Sequence, residues 1–142
     1  MDEMNKLGIL KHKLKIIDNV NGSIMHALKK SDLGFKDFGE IYFSHVKHNT
    51  IKAWKKHKRM TMNLVVPVGN VKFVFYDEEK NFFEEYKIGE NNYCRLTVKP
   101  LIWFGFQGIG NYNNIVMNIA NIEHDPNEVE RKDLLDLKYN WG

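Results

Sequence analysis

Hydrophobic and polar residues alternate along the middle of the chain, from residue 40 onward. Segments 40–46, 62–68 and 71–77 are rich in β-branched and aromatic residues at every second position, which is the period of a half-buried β-strand. The intervening segment 50–57 has strand length, and a glycine–asparagine pair between the last two segments favours a tight turn. The pattern therefore predicts four consecutive strands joined by short connections.

Four more segments of strand length follow: 82–88, 93–98, 102–108 and 114–121. Clusters of glycine and asparagine separate them, as expected for turns. Eight short strands with turn signals every ~8–12 residues are typical of a β-sandwich or β-barrel. We therefore predict an all-β fold, a jelly roll.

The two ends of the chain differ from this barrel, which we assign to residues 39–122 of a single domain. Residues 1–38 form a predicted N-terminal arm, with a short helix or turn over 22–33. Residues 123–142 form a predicted tail with a short C-terminal helix, because EVERKDLLDLKYNW follows a plausible helix entry at Asp125-Pro126-Asn127.

Composition narrows the class of protein. The chain has 142 residues, 43% of them apolar and 13% aromatic, which excludes a disordered chain. Its net charge of +3 is small for a general nucleic-acid binder. It has one cysteine, no signal-like N-terminus and no apolar run of membrane-spanning length, so we expect a cytoplasmic protein with neither a nucleic-acid nor a membrane partner.

The most unusual segment is IKAWKKHK, which precedes the long apolar strands. On a regular strand Lys55 and His57 share one face with Arg59, while Lys58 lies on the other, and so does Lys52 unless a bulge re-aims it. A barrel lumen that holds these cations needs an anion to offset them. Three readings stay open: a solvated edge strand guarded by lysines, a site for a small anionic ligand, or a nucleic-acid surface.

Other chemistry has less support in the sequence. The spacing of His45 and His48 does not suit one strand face, and the lysines beside His57 repel a metal ion, so we expect no metal and no cofactor. Cys94 lies in an alternating strand, where a buried, inert thiol is the usual case. The aromatic strand around Trp103 reads either as core or as a stacking wall for a sugar or base.

The order of four segments resembles a known family. SHVKHNTIKAWKKHK, MNLVVPVGNVKFVFYD, LTVKPLIWFGFQG and NIVMNIANIEHDPNEV follow one another as in the dTDP-4-dehydrorhamnose 3,5-epimerase-like cupins. The resemblance covers residues 38–128. It implies a jelly-roll homodimer that acts on a nucleotide-linked 4-keto sugar, by removing a proton beside the ketone and returning one to the other face.

The resemblance also implies roles for single residues. Lys52 stands where the family has its phosphate-binding arginine, Lys55 where it has its catalytic histidine, and His57 where it has a glutamine. Phe104 replaces a histidine of the later strand. Near Asn118, where the family has its general-acid tyrosine, this sequence has none.

We therefore predict a nucleotide-sugar isomerase of surface polysaccharide biosynthesis with an epimerase-type proton transfer, and a sugar-nucleotide 3,4-ketoisomerase is the third choice. A non-catalytic sugar-nucleotide-binding cupin or accessory protein is the alternative. The predicted acid–base pair is Lys55 and His57. The predicted substrate-binding residues are Lys52, Lys58, Arg59, Asn63, Trp103, Phe104 and Asn118.

Overall fold

The computed structural model describes residues 2–142, with side chains from Asn5 onward; Met1 of the predicted arm lies outside the described residues. Within this range the chain forms thirteen strands and two 3-10 turns. The strands are β1 (Asp2–Met4), β2 (Leu10–Lys13), β3 (Ile16–Ile17), β4 (Ile24–Met25), β5 (Glu40–Val46), β6 (Ile51–His57), β7 (Met62–Val68), β8 (Asn70–Asp77), β9 (Phe82–Gly89), β10 (Cys94–Val98), β11 (Trp103–Gly108), β12 (Asn114–Ala120) and β13 (Val129–Arg131). The 3-10 turns cover Pro126–Glu128 and Leu134–Asp136.

The strands form two facing antiparallel sheets and one small hairpin. The first sheet has the order β1-β2-β10-β7-β12-β5, the second has the order β13-β6-β11-β8-β9, and β3 pairs with β4. All eight strands predicted between residues 40 and 121 are present as β5 to β12, with ends within one residue of the prediction. The all-β, cupin-type jelly-roll prediction is confirmed.

The core lies between the two sheets because alternate residues of each strand point inward. Met62 and Leu64 of β7 and Phe73 and Phe75 of β8 are buried there. Each such side chain contributes roughly 1.5–3 kcal/mol when it leaves water. The turn between β7 and β8 uses Gly69 at a φ of +81°, a backbone conformation that glycine adopts without strain.

The N-terminal arm is built into the fold. Strand β2 pairs with β10, so the arm adds β1 and β2 to one edge of the first sheet. Residues 22–33 contain β4 followed by turns, so the turn alternative of the prediction is the one observed. No helix among residues 2–142 has the length and apolar character needed to cross a membrane.

The prediction of a C-terminal helix is wrong. Residues 129–131 form β13, which pairs with β6, and after it only the short 3-10 turn at 134–136 is helical. An isolated helix of this length is marginal in water. Here the open edge of β6 offers backbone hydrogen bonds, and Tyr139 and Trp141 pack on Trp54, so the extended conformation wins.

Candidate active site

A small pocket opens into the space between the two sheets. Strands β5, β7 and β12 of the first sheet form one wall, and β6 and β11 of the second sheet form the other. Residues two apart on a strand share a face, so each strand sends two side chains into the pocket. They are Tyr42, Ser44, Lys55, His57, Met62, Leu64, Phe104, Phe106, Val116 and Asn118.

His57 lies in this pocket and is paired with a buried carboxylate. The ring stacks on Phe104, with centroids 5.7 Å apart. Its Nδ1 hydrogen-bonds Oε1 of Glu128, whose side chain is 1% exposed. Because the carboxylate accepts, Nδ1 carries the proton of the neutral imidazole, and Nε2 is left as a proton acceptor. This arrangement suits a general base.

Glu128 is held in its charged form by the backbone around it. Its Oε2 accepts hydrogen bonds from the amides of Arg59 at 2.9 Å and Met60 at 3.1 Å. Burial alone would raise the pKa of this carboxyl, but these amides and His57 outweigh burial and hold the pKa below its usual value. The carboxylate therefore stays ionised at neutral pH and fixes the tautomer of His57.

A tyrosine faces His57 from the other wall. Asn118 donates from Nδ2 to the phenol oxygen of Tyr42 at 2.9 Å, and the two residues stand opposite each other on β12 and β5. Because the phenol oxygen accepts that bond, its own O–H is free to donate into the pocket. Sequence reasoning found no tyrosine on the strand of Asn118, but the neighbouring strand supplies one.

Asn118 also offers an unused acceptor. The residue is 3% exposed, and its Oδ1 has no hydrogen-bond partner among the described residues. A buried polar atom without a partner is rare in folded proteins and costs stability. Since the residue lines the pocket, a ligand hydroxyl is a fitting partner for this oxygen.

A second, larger cavity of about 430 Å³ adjoins the first and shares four of its lining residues. Its charge is predominantly positive, from four cations against one carboxylate: Lys52, Lys55, Arg131, Lys132 and Asp133. Within the described residues, no carboxylate forms an ion pair with Lys52, Lys55 or Arg131. The cavity can therefore bind an anion.

Lys55 lies at the junction of the two cavities. Burial lowers the pKa of its ammonium group, and the nearby charges of Arg131 and Lys52 lower it further. A bulge explains how Lys52 reaches the same side as Lys55. Strand β11 pairs Phe104 with Lys55 but Gly105 with Ala53, so one residue of β6 is skipped and the alternation reverses.

The structure brings together only some of the predicted site residues. Lys55, His57, Phe104 and Asn118 line the pocket between the sheets, and Lys52 lines the cationic cavity. The amino group of Lys52 donates to the carbonyl of His45 at 2.8 Å.

Four predicted substrate-binding residues lie elsewhere. Lys58 and Arg59 line neither cavity, and Arg59 is ion-paired with Asp125 at 2.8 Å. Asn63 points to the other side of β7, where it donates to the carbonyl of Gly34. Trp103 also points away from the pocket.

Trp103 and Phe104 are adjacent on β11, so their side chains leave opposite faces of the sheet. Phe104 enters the pocket, whereas Trp103 packs outside with Trp54 and Val74. The indole N–H of Trp103 donates to Glu78 at 2.7 Å. The predicted stacking wall made by both residues is therefore not formed.

Sequence reasoning missed Glu128, Tyr42 and Arg131. The helix prediction over the tail hid the alternation of Glu128, Val129 and Glu130, which also fits a short strand. Tyr42 was visible in its strand, but the pairing of β5 with β12 was not. No local signal in the sequence identifies the pairing of β13 with β6 or that of β5 with β12.

The chain matches no protein-family model and no curated protein sequence, but solved structures resemble it. A dTDP sugar isomerase from Desulfovibrio desulfuricans is 35% identical, covers 91% of this chain and 86% of its own, and superimposes with a TM-score of 0.87. A dTDP-4-dehydrorhamnose 3,5-epimerase from Sulfolobus tokodaii is 18% identical, with 98% and 85% of the two chains covered and a TM-score of 0.85.

A third similar structure is QdtA, a sugar 3,4-ketoisomerase from Thermoanaerobacterium thermosaccharolyticum solved with TDP. It is 18% identical and covers 87% of this chain and 88% of its own, with a TM-score of 0.75. The second and third matches establish a shared fold. The first, at 35% identity over 91% of this chain, shows that the two proteins belong to one family.

Proposed function

The chain belongs to the RmlC-like family of dTDP-sugar epimerases and isomerases, and on that premise we propose that it epimerises a nucleotide-linked 4-keto-6-deoxy sugar. The expected nucleotide is dTDP, and the expected pathway makes a deoxysugar for surface polysaccharide. The observation that carries the proposal is the His57–Glu128 pair, which faces the phenol of Tyr42 across one pocket.

The proposed reaction begins with proton removal. The ketone acidifies the hydrogen on the neighbouring carbon, and Nε2 of His57 takes that proton while the C–H electrons move into the carbonyl to form an enolate. Glu128 stabilises the imidazolium that results. The ammonium of Lys55 stabilises the enolate oxygen, which is where negative charge develops.

The reaction ends with proton return from the opposite wall. As the enolate electrons form the new C–H bond, the O–H of Tyr42 supplies the proton. Solvent then reprotonates the phenolate and takes the proton from His57. Because His57 belongs to the second sheet and Tyr42 to the first, a sugar between them meets its base and its acid on different faces. That arrangement favours inversion of a stereocentre over a shift of the ketone.

Substrate binding is assigned to the groups around this pair. Asn118 Oδ1 accepts a hydrogen bond from a sugar hydroxyl, Phe104 packs on the sugar ring, and Lys52 attracts the diphosphate. For Lys58, Arg59, Asn63 and Trp103, which line neither cavity, contact with the sugar is not part of the proposal.

The test is isotope exchange. The protein is mixed with dTDP-4-keto-6-deoxyglucose in deuterated water, and NMR follows deuterium at the carbons beside the ketone. We expect exchange and an inverted stereocentre with the wild type, loss of both in His57→Asn, and retention in Lys138→Ala, an exposed residue outside both cavities.

The same experiment separates the alternatives. A ketone that moves to carbon 3 without inversion identifies a 3,4-ketoisomerase. Tight binding of dTDP-sugars with no exchange identifies a non-catalytic sugar-nucleotide-binding cupin and refutes the enzymatic proposal.

Two further expectations belong to the proposal. A cytoplasmic location fits a chain with a single cysteine. A homodimer fits the exposed apolar residues of the edge strand β5, where Ile41 is 46% and Phe43 61% exposed. Light scattering on the purified protein measures the second of these directly.

A further inference from the structure

Residues 129–142, here called the C-terminal arm, lie beside the cationic cavity, and their function does not follow from the epimerase chemistry. We propose that this arm is a substrate-binding element: Arg131 binds the diphosphate of the nucleotide, and Tyr139 and Trp141 are positioning residues that hold Arg131 in place. The inference rests on the proposed function for the identity of the ligand.

Arg131 lies in an unfavourable position. Its Cα partner across the ladder is Lys55, so two cations stand directly opposite each other on β13 and β6. Like charges in such a pair destabilise a sheet. Among the described side chains, from Asn5 to Gly142, no carboxylate forms an ion pair with either residue. An anion bound between them removes this cost.

Arg131 also fits a diphosphate chemically. Arg131 and Lys55 line the same cavity as Lys52, close to the pocket that holds His57. A guanidinium presents two parallel N–H groups to phosphate oxygens, which makes arginine the better phosphate anchor where geometry matters. A volume of about 430 Å³ has room for a diphosphate and part of the nucleoside.

The C-terminal arm is attached to Trp54 by hydrogen bonds. Past Arg131 the backbone of Lys132 exchanges two hydrogen bonds of 3.1 Å with Trp54, and the indole N–H of Trp54 donates to Leu134 at 3.1 Å. Trp54 is itself 1% exposed and is adjacent to Lys55. The arm is therefore fixed to the residue that neighbours the site.

An aromatic cluster also holds the C-terminal arm against the second sheet. The ring of Trp141 lies 5.4 Å from that of Trp54 and 5.0 Å from that of Tyr139, and Tyr139 lies 5.3 Å from Phe83. Lys72 donates to the carbonyl of Trp141 at 2.9 Å and lies over both rings. Aromatic pairs of this kind contribute about 0.5–1.5 kcal/mol each beyond their burial.

The arm therefore separates binding from chemistry. Tyr42 and Asn118 are on β5 and β12, which carry no member of the aromatic cluster, and Glu128, which holds His57, precedes the arm, whereas Arg131 lies within it. Loosening the arm is expected to raise KM for the nucleotide sugar and to leave kcat within about two-fold, as when an interaction equal in ground and transition states is lost.

The test uses calorimetry on the full chain with thymidine, dTMP, dTDP and inorganic pyrophosphate. Arg131→Ala is expected to weaken dTDP and pyrophosphate binding by about ten- to hundred-fold, the range for a charged hydrogen bond, and to leave thymidine unchanged. Arg131→Lys is expected to recover part of the loss. Trp141→Ala should weaken dTDP several-fold and Trp141→Phe much less, with Lys138→Ala as the matched control on the same arm.

The outcomes are decisive in both directions. If Arg131→Ala and Trp141→Ala bind dTDP as Lys138→Ala does, or if thymidine affinity falls as much as dTDP affinity, the inference is overturned. If dTDP binding depends on Arg131 but no deuterium exchange occurs with any sugar, the arm's role stands and the epimerase proposal fails. If exchange occurs and Arg131→Ala keeps full dTDP affinity, the epimerase proposal stands and the proposed role of the arm fails.

Discussion

Replacing Glu128 by Gln tests the central pair of the proposed mechanism with a change of one charge and almost no volume. In the native protein the carboxylate accepts from His57 and from the amides of Arg59 and Met60. The glutamine carbonyl can still accept from the two amides. Its NH₂ group then faces His57, where it can only donate.

The histidine must respond to that donor. Nδ1 of His57 becomes the acceptor, the proton moves to Nε2, and the nitrogen that faces the pocket can no longer take a proton. A positioned base contributes about 10²- to 10⁴-fold to rate. We therefore expect Glu128→Gln to lower the exchange rate by about that factor, with dTDP affinity unchanged because the diphosphate binds elsewhere.

The same variant has a distinct stability profile. The pKa of Glu128 lies below its ordinary value of 4.5 in the folded protein, so the folded state binds fewer protons than the unfolded state. This contribution is complete above pH 4.5 and is lost as the pH falls through the folded pKa. The wild type should lose unfolding free energy in this acid range, and Glu128→Gln should lose less, after an initial cost of about 1–3 kcal/mol at neutral pH.

The assays are deuterium exchange for the rate and urea unfolding between pH 3 and pH 7 for the stability, with Glu128→Asp as the variant that keeps the charge. Exchange by Glu128→Gln within two-fold of the wild type would refute the assignment of His57 as the base. A Glu128→Gln protein with the same acid dependence as the wild type would refute the electrostatic account of its pKa.

Three other substitutions test neighbouring groups. Lys55→Ala should abolish turnover and keep part of the dTDP affinity, whereas a non-catalytic binding protein would lose affinity alone. Thermal unfolding should show no loss of stability, because the repulsion between Lys55 and Arg131 is removed. Tyr42→Phe should retain deuterium exchange, which needs only His57, but form inverted product about 10²-fold more slowly by NMR; equal loss of both would make Tyr42 structural. Asn118→Leu should raise stability in urea, because a buried acceptor without a partner disappears, and should weaken sugar binding measured by calorimetry; an unstable variant with normal KM would contradict both points.

The eight central strands were predictable because their signal is local. In segment 71–77 the alternation of the residues alone indicates which side chains point inward, and Val71, Phe73 and Phe75 are buried together. Of the three readings left open for the cationic run on β6, a ligand site fits best the position of Lys55 and His57 in a pocket. What the alternation could not give was the bulge that turns Lys52 to the same side, because a bulge depends on the partner strand.

The errors at the site have the same origin. Trp103 and Phe104 are neighbours, so only one of them can face the lumen, and their apolar character does not say which. Asn63 and Asn118 were both predicted to bind substrate, yet Asn63 pairs with Ile119 in the ladder and Leu64 pairs with Asn118. Residues paired across a ladder share a face, and so Asn63 points away from the pocket.

The C-terminal arm shows where tertiary contacts override local preference. Its leucines and charged residues fit a helix as well as a strand edge, and the decision is made by Trp54 and the open edge of β6. Glu128 belongs to the same problem, since its partner His57 is 71 positions earlier. Both the carboxylate that pairs with His57 and the proposed phosphate anchor were hidden by one wrong prediction about the tail.

The proposed ligand would offset two unfavourable features of the free protein. Asn118 leaves a buried oxygen without a partner, and Lys55 and Arg131 repel each other at the adjoining cavity. A sugar hydroxyl satisfies the first and a diphosphate the second, and the pocket and the cationic cavity adjoin as those two parts of a nucleotide sugar do. A chain selected for stability alone would replace Asn118 with an apolar residue and Arg131 with a neutral one. The two costs lie in adjoining cavities on either side of Lys55, as expected if the site holds a sugar joined to a diphosphate.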